Sequence, residues 1–401
     1  MISLETRLLR AVTVLSVAGF GSGISQRVLD PLLPRLAGDF GRPLAQVSWV
    51  ITGFSLGYAL SQLFFGPVGD RYGKLRVITW GCGACSLASA LCALAPGLHS
   101  LVAARAVAGA MSASLIPLAM AFIGDAVPYE HRQPVLARFS IGQILGVAAG
   151  QLLGGLSADY FGRRAPFALL AVLFAISAVM LQQLRHGLDT PAVRSTRRTT
   201  LGDLLREFGH VLREPWARRV VFAVFLEGAF VLGAFAFFAT HLNRALGISF
   251  TLAGSAAMLF GFGGLVFATS ARGLLARLGE TGLVRGGAVT LLAMMTLVAL
   301  APGVIVVAAA CFVMGIGFYM LHSTLQTHAT QMDPARRGAA VATFALCYFL
   351  GQAAGVAAVG WAITHFSSGT VIFIAALGVT LTALDFARHN PLARGAQTPP
   401  Q

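Results

Sequence analysis

Five ionisable side chains that interrupt apolar stretches of this chain bound the chemistry open to it. Glu227 is the single ionisable residue between Val220 and Ala239. A carboxyl group in such surroundings, with no cation within one helical turn and ~12–14 Å from the cytoplasmic end of its helix, can take up or release a proton near neutral pH. It can equally stay protonated and hydrogen-bond across helices. Arg105 lies within the apolar run 99–125. An arginine there is costly and usually faces a bundle interior or a wet cavity, although a place ~9 Å from the helix start also lets the side chain reach the surface. Arg27 and Asp30 stand three apart, close enough to pair on one helix face, just ahead of Pro31 and Pro34. They could form a gate, a substrate contact or an interfacial ion pair. His322 and Gln326 are four apart and share a helix face, as cavity-lining or as structural residues.

Such residues need a bilayer around them. Of 401 residues, 56% are hydrophobic and only 11% charged, with a mean hydropathy of +0.76; soluble domains carry about 25% charged residues. Apolar runs predict twelve spanning helices, α1 to α12, at roughly 11–34, 46–68, 76–96, 99–125, 135–157, 166–184, 218–241, 251–276, 284–301, 303–327, 338–363 and 368–387. The expected fold class is therefore all-α membrane protein. An even number of spans leaves both termini on one side. Of the 29 lysines and arginines, 22 fall on that side, five on the other (Arg35, Arg42, Arg163, Arg164, Arg244) and two (Arg27, Arg105) within spans. This bias puts both termini in the cytoplasm, and the net charge of +14 reads as membrane topology rather than a nucleic-acid surface. The first run lacks a small-residue cleavage site and reads as an uncleaved helix.

One long polar break, 185–217, divides 1–184 from 218–390, and a polar tail follows at 391–401. Within the break Leu201, Leu204, Leu205, Phe208, Val211 and Leu212 recur at helical spacing, and Thr200 with Asp203 resembles a capping box. The segment reads as an amphipathic helix on the inner membrane surface or as a passive linker. All five cysteines lie in apolar runs and read as small hydrophobes. Cys82 and Cys85 have C-x-x-C spacing without further ligands, so no metal is expected. No G-x-x-x-x-G-K-[ST] loop occurs, which argues against ATP as the energy source, and no cofactor is expected. Gly53 to Gly57 fits G-x-S-x-G, but that nucleophile elbow needs a strand-to-helix turn and this one falls inside predicted α2. No enzyme is expected.

Three stretches carry the organisation. Gly66-Pro67-Val68-Gly69-Asp70-Arg71-Tyr72-Gly73-Lys74-Leu75-Arg76-Val77 packs one acid and three bases between two apolar runs, and Gly69 and Gly73 allow a tight turn and close backbone approach. In α5, Gly142, Gly146, Gly150 and Gly154 recur every fourth residue, followed by Gly155. That face lets a neighbour come to backbone contact, as a moving interface between halves or as static packing. Gly142-Gln143-Ile144-Leu145-Gly146-Val147-Ala148-Ala149 recurs in α11 as Gly351-Gln352-Ala353-Ala354-Gly355-Val356-Ala357-Ala358, an internal repeat that supports two halves.

The spacing G-x-x-x-D-R-x-G-K-x-R from Gly66 to Arg76 closely resembles the signature loop of the major facilitator superfamily. Arg105, Gly109 and Pro117 are similar to that superfamily's helix-4 pattern, with Ala108 replacing its usual polar residue. The α5 glycines resemble the signature G-x-x-x-G-P-x-x-G-G of twelve-span drug:proton antiporters, with Gln151 standing where the pattern has proline. The resemblance implies two pseudo-symmetric six-helix bundles and alternating access around a central cavity. It also implies a small-molecule substrate, an ion gradient such as protons, and a monomer in the cytoplasmic (inner) membrane. In this reading Gly66, Asp70, Arg71, Gly73 and Lys74 latch the halves on the inner face. Asp70 would accept from the N-terminus of α11, after Arg336 and Arg337, and Asp125 would pair with Arg71. Glu227 and Arg105, with Asp30 and Arg27, become the proton-coupling candidates. The cavity walls come from α1, α4, α7 and α10, lined by Phe230, Phe235 and Phe318 with His322 and Gln326. The α5 resemblance implies efflux. An uptake symporter for a sugar, metabolite or organic ion would share the fold, as would a non-transporting sensor.

Overall fold

The computed structural model describes residues 4–185, 188, 201–333 and 336–390; the 391–401 tail and Thr200, with its capping box, lie outside them. Helices long and apolar enough to cross a membrane run through Thr6–Arg27 (α1), Leu44–Tyr72 (α2), Lys74–Leu94 (α3), Leu98–Ala126 (α4), Glu130–Phe161 (α5) and Ala165–Leu184 (α6). After the linker come Pro215–Leu246 (α7), Phe250–Leu300, Val304–Ala329 (α10), Arg337–Ala362 (α11) and Ser368–His389 (α12). Phe250–Leu300 has 51 residues, ~77 Å of helix against a hydrocarbon core of ~30 Å. Gly279 divides it at φ 64, ψ 175, a conformation that glycine adopts readily. The result is α8 (250–278) and α9 (280–300), and twelve spans among the described residues.

Two boundaries differ from expectation for local reasons. The first helix stops at Arg27 because Pro31 and Pro34 cannot extend its hydrogen-bond ladder, and a short helix, Leu33–Phe40, follows. The charged stretch after α2 is not a loop: α2 stays helical through Tyr72, and Gly73 alone turns the chain, at φ 94. Gly69 is inside the helix, where a Cβ would come within 2.5 Å of the Leu118 side chain of α4.

The internal repeat is written in contacts. A Cβ on Gly142 or Gly146 would meet the carbonyl oxygens of Ser16 (2.9 Å) and Phe20 (2.1 Å) in α1. One on Gly351 or Gly355 would meet those of Phe225 (2.0 Å) and Ala229 (2.1 Å) in α7. One constant shift in numbering maps the first four residues onto the second four. A second shift, three residues smaller, maps Gly57 on Ala106 and Gly109 on Phe54 (α2 with α4) onto Gly263 on Phe312 and Gly315 on Phe260 (α8 with α10). The glycine ladder of α5 continues along α1, with Gly150 against Ile24 and Gly154 against Val28. These contacts lie within the first half rather than between the halves. Only Gly155 turns to the second half, 2.4 Å from the Phe250 carbonyl by the same measure. Gly53 and Gly57 pack on α4 in the same way, so no nucleophile elbow forms there.

One apolar core draws mainly on α1 to α6 and another on α7 to α12. The two sets meet along α2–α11 and α5–α8, with Phe54, Tyr58, Leu346 and Phe349 clustered across the first seam. The linker contains a helix, Leu201–Val211. Val211 is buried in the second core and Phe208 packs against the seam cluster. The linker helix thus docks on protein where α2 and α11 meet, not only on a lipid surface.

Candidate functional site

Glu227 lies twelve residues into α7, ~18 Å from its start, deeper than expected, and is fully buried. A π-helical turn, Gly228–Leu232, follows it directly; such wide turns recur at functional sites. Gly228 and Gly233 bring α7 against the backbones of Tyr348 and Gly355 in α11. The Oε2 atom of Glu227 is 2.8 Å from Nδ1 of His322 in α10, and Oε1 has no hydrogen-bond partner among the described residues. His322 stacks on Phe318 (ring centroids 5.2 Å, 12° between planes) and touches Tyr348 at 4.8 Å. Its side chain is 16% exposed, and Gln326, one turn nearer the linker side, is exposed.

The other charges form a second cluster. Arg105 is buried and turns to α1, not to the surface: Nη2 donates to the Ser25 carbonyl at 2.8 Å and Nη1 to its hydroxyl at 3.2 Å. The guanidinium also lies 4.1 Å from the Phe54 ring centroid. Asp30 accepts from Gln151 Nε2 at 2.8 Å and, at the same Oδ2, from Arg27 at 3.5 Å. Its Oδ1 is buried with no partner among the described residues. Arg27 crosses to the other half, 5.4 Å above the Phe235 ring.

Aromatic rings join the clusters across the seam. From Arg105 the path runs through Phe54, Tyr58, Phe349 and Tyr348 to His322, with ring spacings between 4.1 and 6.2 Å. A second path runs from Arg27 through Phe235, Phe260 and Phe318 to the same histidine. Cations over ring faces regain part of the solvation lost on burial. Phe235 and Phe318 are rings on the second path, whereas the Phe230 ring packs on Gly378 of α12.

The charged residues expected to form an inner-face latch are paired differently from expectation. Asp125 pairs with Lys74, not Arg71, and Lys74 also lies 3.6 Å from Asp70. Lys74 opens α3 just past the Gly73 turn, within reach of both acids, while Arg71 stacks on Tyr72 at 5.1 Å. Asp333, not Asp70, accepts from the Arg336 N–H at the start of α11, at 3.1 Å, and Arg337 is exposed. Asp70 instead lines a cavity of about 250 Å³ with Gly66, Glu207, Phe208 and Gly338. That cavity separates the ends of α2 and α11, on the side where the linker lies. At the opposite end the halves are tied: Asp159, in a π-helical turn at the end of α5, accepts from the Thr251 N–H at 2.7 Å, the Thr251 hydroxyl at 2.6 Å and the Phe250 N–H at 3.3 Å.

Gln151, Asp159, Ser25 and Tyr348 were not among the expected site residues. Only Gln151 carried a signal, as the polar departure from a glycine-rich pattern.

Twelve apolar spans in two repeated sets, with ionisable clusters buried between them, define a multi-pass membrane protein. The Major Facilitator Superfamily profile matches residues 15–356, and the chain belongs to that superfamily. It is 30% identical over 181 residues to the multidrug export protein EmrB of Escherichia coli, covering 45% of this chain and 35% of that one. It is 26% identical over 250 residues, 60% of each, to a putative metabolite transport protein of Haemophilus influenzae. The matches thus span about a third to three fifths of those relatives. A POT family transporter in complex with a thioalcohol-conjugated peptide shares the fold over 97% of both chains, with a TM-score of 0.78 at 14% identity. The nucleoside transporter NupG shares it over 96% of this chain and 98% of its own, with a TM-score of 0.71 at 16% identity.

Proposed function

We propose that this protein is a secondary active transporter that moves a small molecule across the cytoplasmic membrane by alternating access, coupling its efflux to proton entry. The observation that carries the reading is the Glu227–His322 pair. A buried carboxyl with one oxygen unpartnered among the described residues is hydrogen-bonded to an imidazole that is 16% exposed, and two ring paths lead from it to the charges of the other half. A carboxyl and an imidazole in contact can share and pass a proton within one site. The basic-residue bias supports a cytoplasmic linker side, so the cavity beside Asp70 faces inward and the Asp159 closure faces outward. Among the relatives, the names multidrug export protein and fatty acid resistance protein support efflux of an amphiphilic molecule. The protein works as a monomer, without chemical turnover of its substrate.

Proton flux in inside-out vesicles tests this. A pH gradient is imposed and lipophilic cations, antibiotics, sugars and organic acids are added in turn. Compound-dependent collapse that disappears in Glu227→Gln is the expected result. Collapse that survives the substitution removes Glu227 from the mechanism, and collapse with sugars or organic acids alone indicates uptake. No response in inserted, folded protein overturns proton coupling.

A further inference from the structure

We propose that Gln151 is a positioning residue for Asp30, keeping that carboxyl hydrogen-bonded in both of its protonation states at the seam between the halves. The inference rests on the proton-coupled reading above and adds a second proton site to it. Both side chains are buried, Gln151 at 1% and Asp30 at 0% exposure. The charged groups facing Asp30 are Arg27 on its own helix, at 3.5 Å, and, at longer range, Arg105 of α4. The α5 contribution is Gln151 itself, and α8 contributes the uncharged Gly254 beside Pro31.

The argument is one of donor and acceptor supply. An amide carries a donor and an acceptor on one planar group. Toward the carboxylate Gln151 donates from Nε2, as the 2.8 Å contact records. Toward the neutral acid, rotation of the amide presents Oε1 to the carboxyl O–H. Neither an apolar side chain nor a proline can serve both states, and a buried polar group left without its partner is costly.

Location gives the contact its consequence. A Cβ on Gly254 would come within 2.4 Å of the Gln151 carbonyl, so α8 touches α5 at the residue that holds Asp30. Two turns further on, Asp159 holds the first turn of α8. The α5–α8 seam thus passes beside the carboxyl that Gln151 holds, between Gly254 and the Asp159 contact.

The test is a pH titration of the full-length protein in lipid nanodiscs, followed by difference infrared spectroscopy of the carboxyl C=O stretch. Asp30→Asn identifies the band. Gln151→Met keeps side-chain length and removes both hydrogen-bonding groups; Gln151→Asn keeps the amide but is one methylene short, and carries the test if the methionine variant fails to insert. The hydrogen bond to the charged carboxylate is the stronger of the two, so the expected result of losing it is a titration midpoint raised by about one pH unit, roughly tenfold in proton affinity, with the acid limb of proton flux moving alike. Midpoints coincident with the unsubstituted protein, or a band unaffected by Asp30→Asn, overturn the proposal. A Gln151-dependent titration in protein without flux would sink the transport reading and leave this one standing. Flux with a Gln151-independent titration would do the reverse.

Discussion

Asp159 closes one end of the molecule on Thr251: its carboxylate accepts both the main-chain N–H and the hydroxyl of that residue, in the first turn of α8. A negative charge at a helix N-terminus is favoured by the helix dipole, and hydrogen bonds to a charged acceptor contribute about 1.5–3 kcal/mol each. The contact joins the two halves and must break whenever that end opens. Asp159→Ala should shift the population by at least about tenfold toward forms open at that end. Spin-label distances between α5 and α8 would read this; an unchanged distance distribution would remove Asp159 from the gate.

His322 should matter in proportion to its contact with Glu227. His322→Asn keeps a polar group near the carboxyl but removes the titrating ring. Proton-coupled flux should fall by at least about tenfold with the amount of inserted protein unchanged. Gln326→Ala, one turn away and exposed, should cost far less. Equal losses at the two positions would mean that the face of α10 matters and the pair does not.

The glycine contacts predict a rank order of stability. At Gly146 and Gly355 an added methyl group would meet a backbone carbonyl at 2.1 Å, so the helices must move apart, at about 1–3 kcal/mol for an overpacked site. At Gly124 nothing lies within 4 Å, and alanine there should be neutral or slightly stabilising. Thermal unfolding in detergent of Gly146→Ala, Gly355→Ala and Gly124→Ala checks the order. Similar midpoints for all three would contradict the close packing.

Asp70 and Asp125 should separate. Asp125 holds Lys74 within one half, while Asp70 is 63% exposed on the cavity wall opposite the start of α11. Asp70→Asn should leave substrate binding intact and slow flux, because it acts only when the linker side closes. Asp125→Asn should lower stability modestly, within the ~1 kcal/mol of an exposed pair. Loss of substrate binding in Asp70→Asn would place that residue in the site and not in closure.

The sequence made the spans legible because a charge-poor apolar run of twenty residues has few other uses. It exposed Glu227, Arg105, Arg27 and Asp30 for the same reason: each is costly where it stands. Partners were not legible. The pair Glu227–His322 joins residues 95 positions apart, and no local spacing encodes which helices will touch. The same holds for Gln151, visible as a departure from a pattern but not as the donor to Asp30. The partner of Asp125 was hidden for a related reason: the direction of the chain after the Gly73 turn decides that Lys74, at the start of α3, and not Arg71 reaches Asp125.

The repeated glycine contacts also record how this chain was made and edited. Both pairings, α1 with α5 and α2 with α4, reappear with two glycine contacts each in register, yet their shifts differ by three. A tandem duplication explains the register. The second copy then has three fewer residues between its first and second helices, and three more between its fourth and fifth. Length has been lost and regained only in the connections, because a deletion inside a span would turn each glycine about its axis and away from the carbonyl it faces. Insertions of a few residues after α1 or before α5 are changes this molecule has already tolerated, and they mark where a reporter could be placed without disturbing either half.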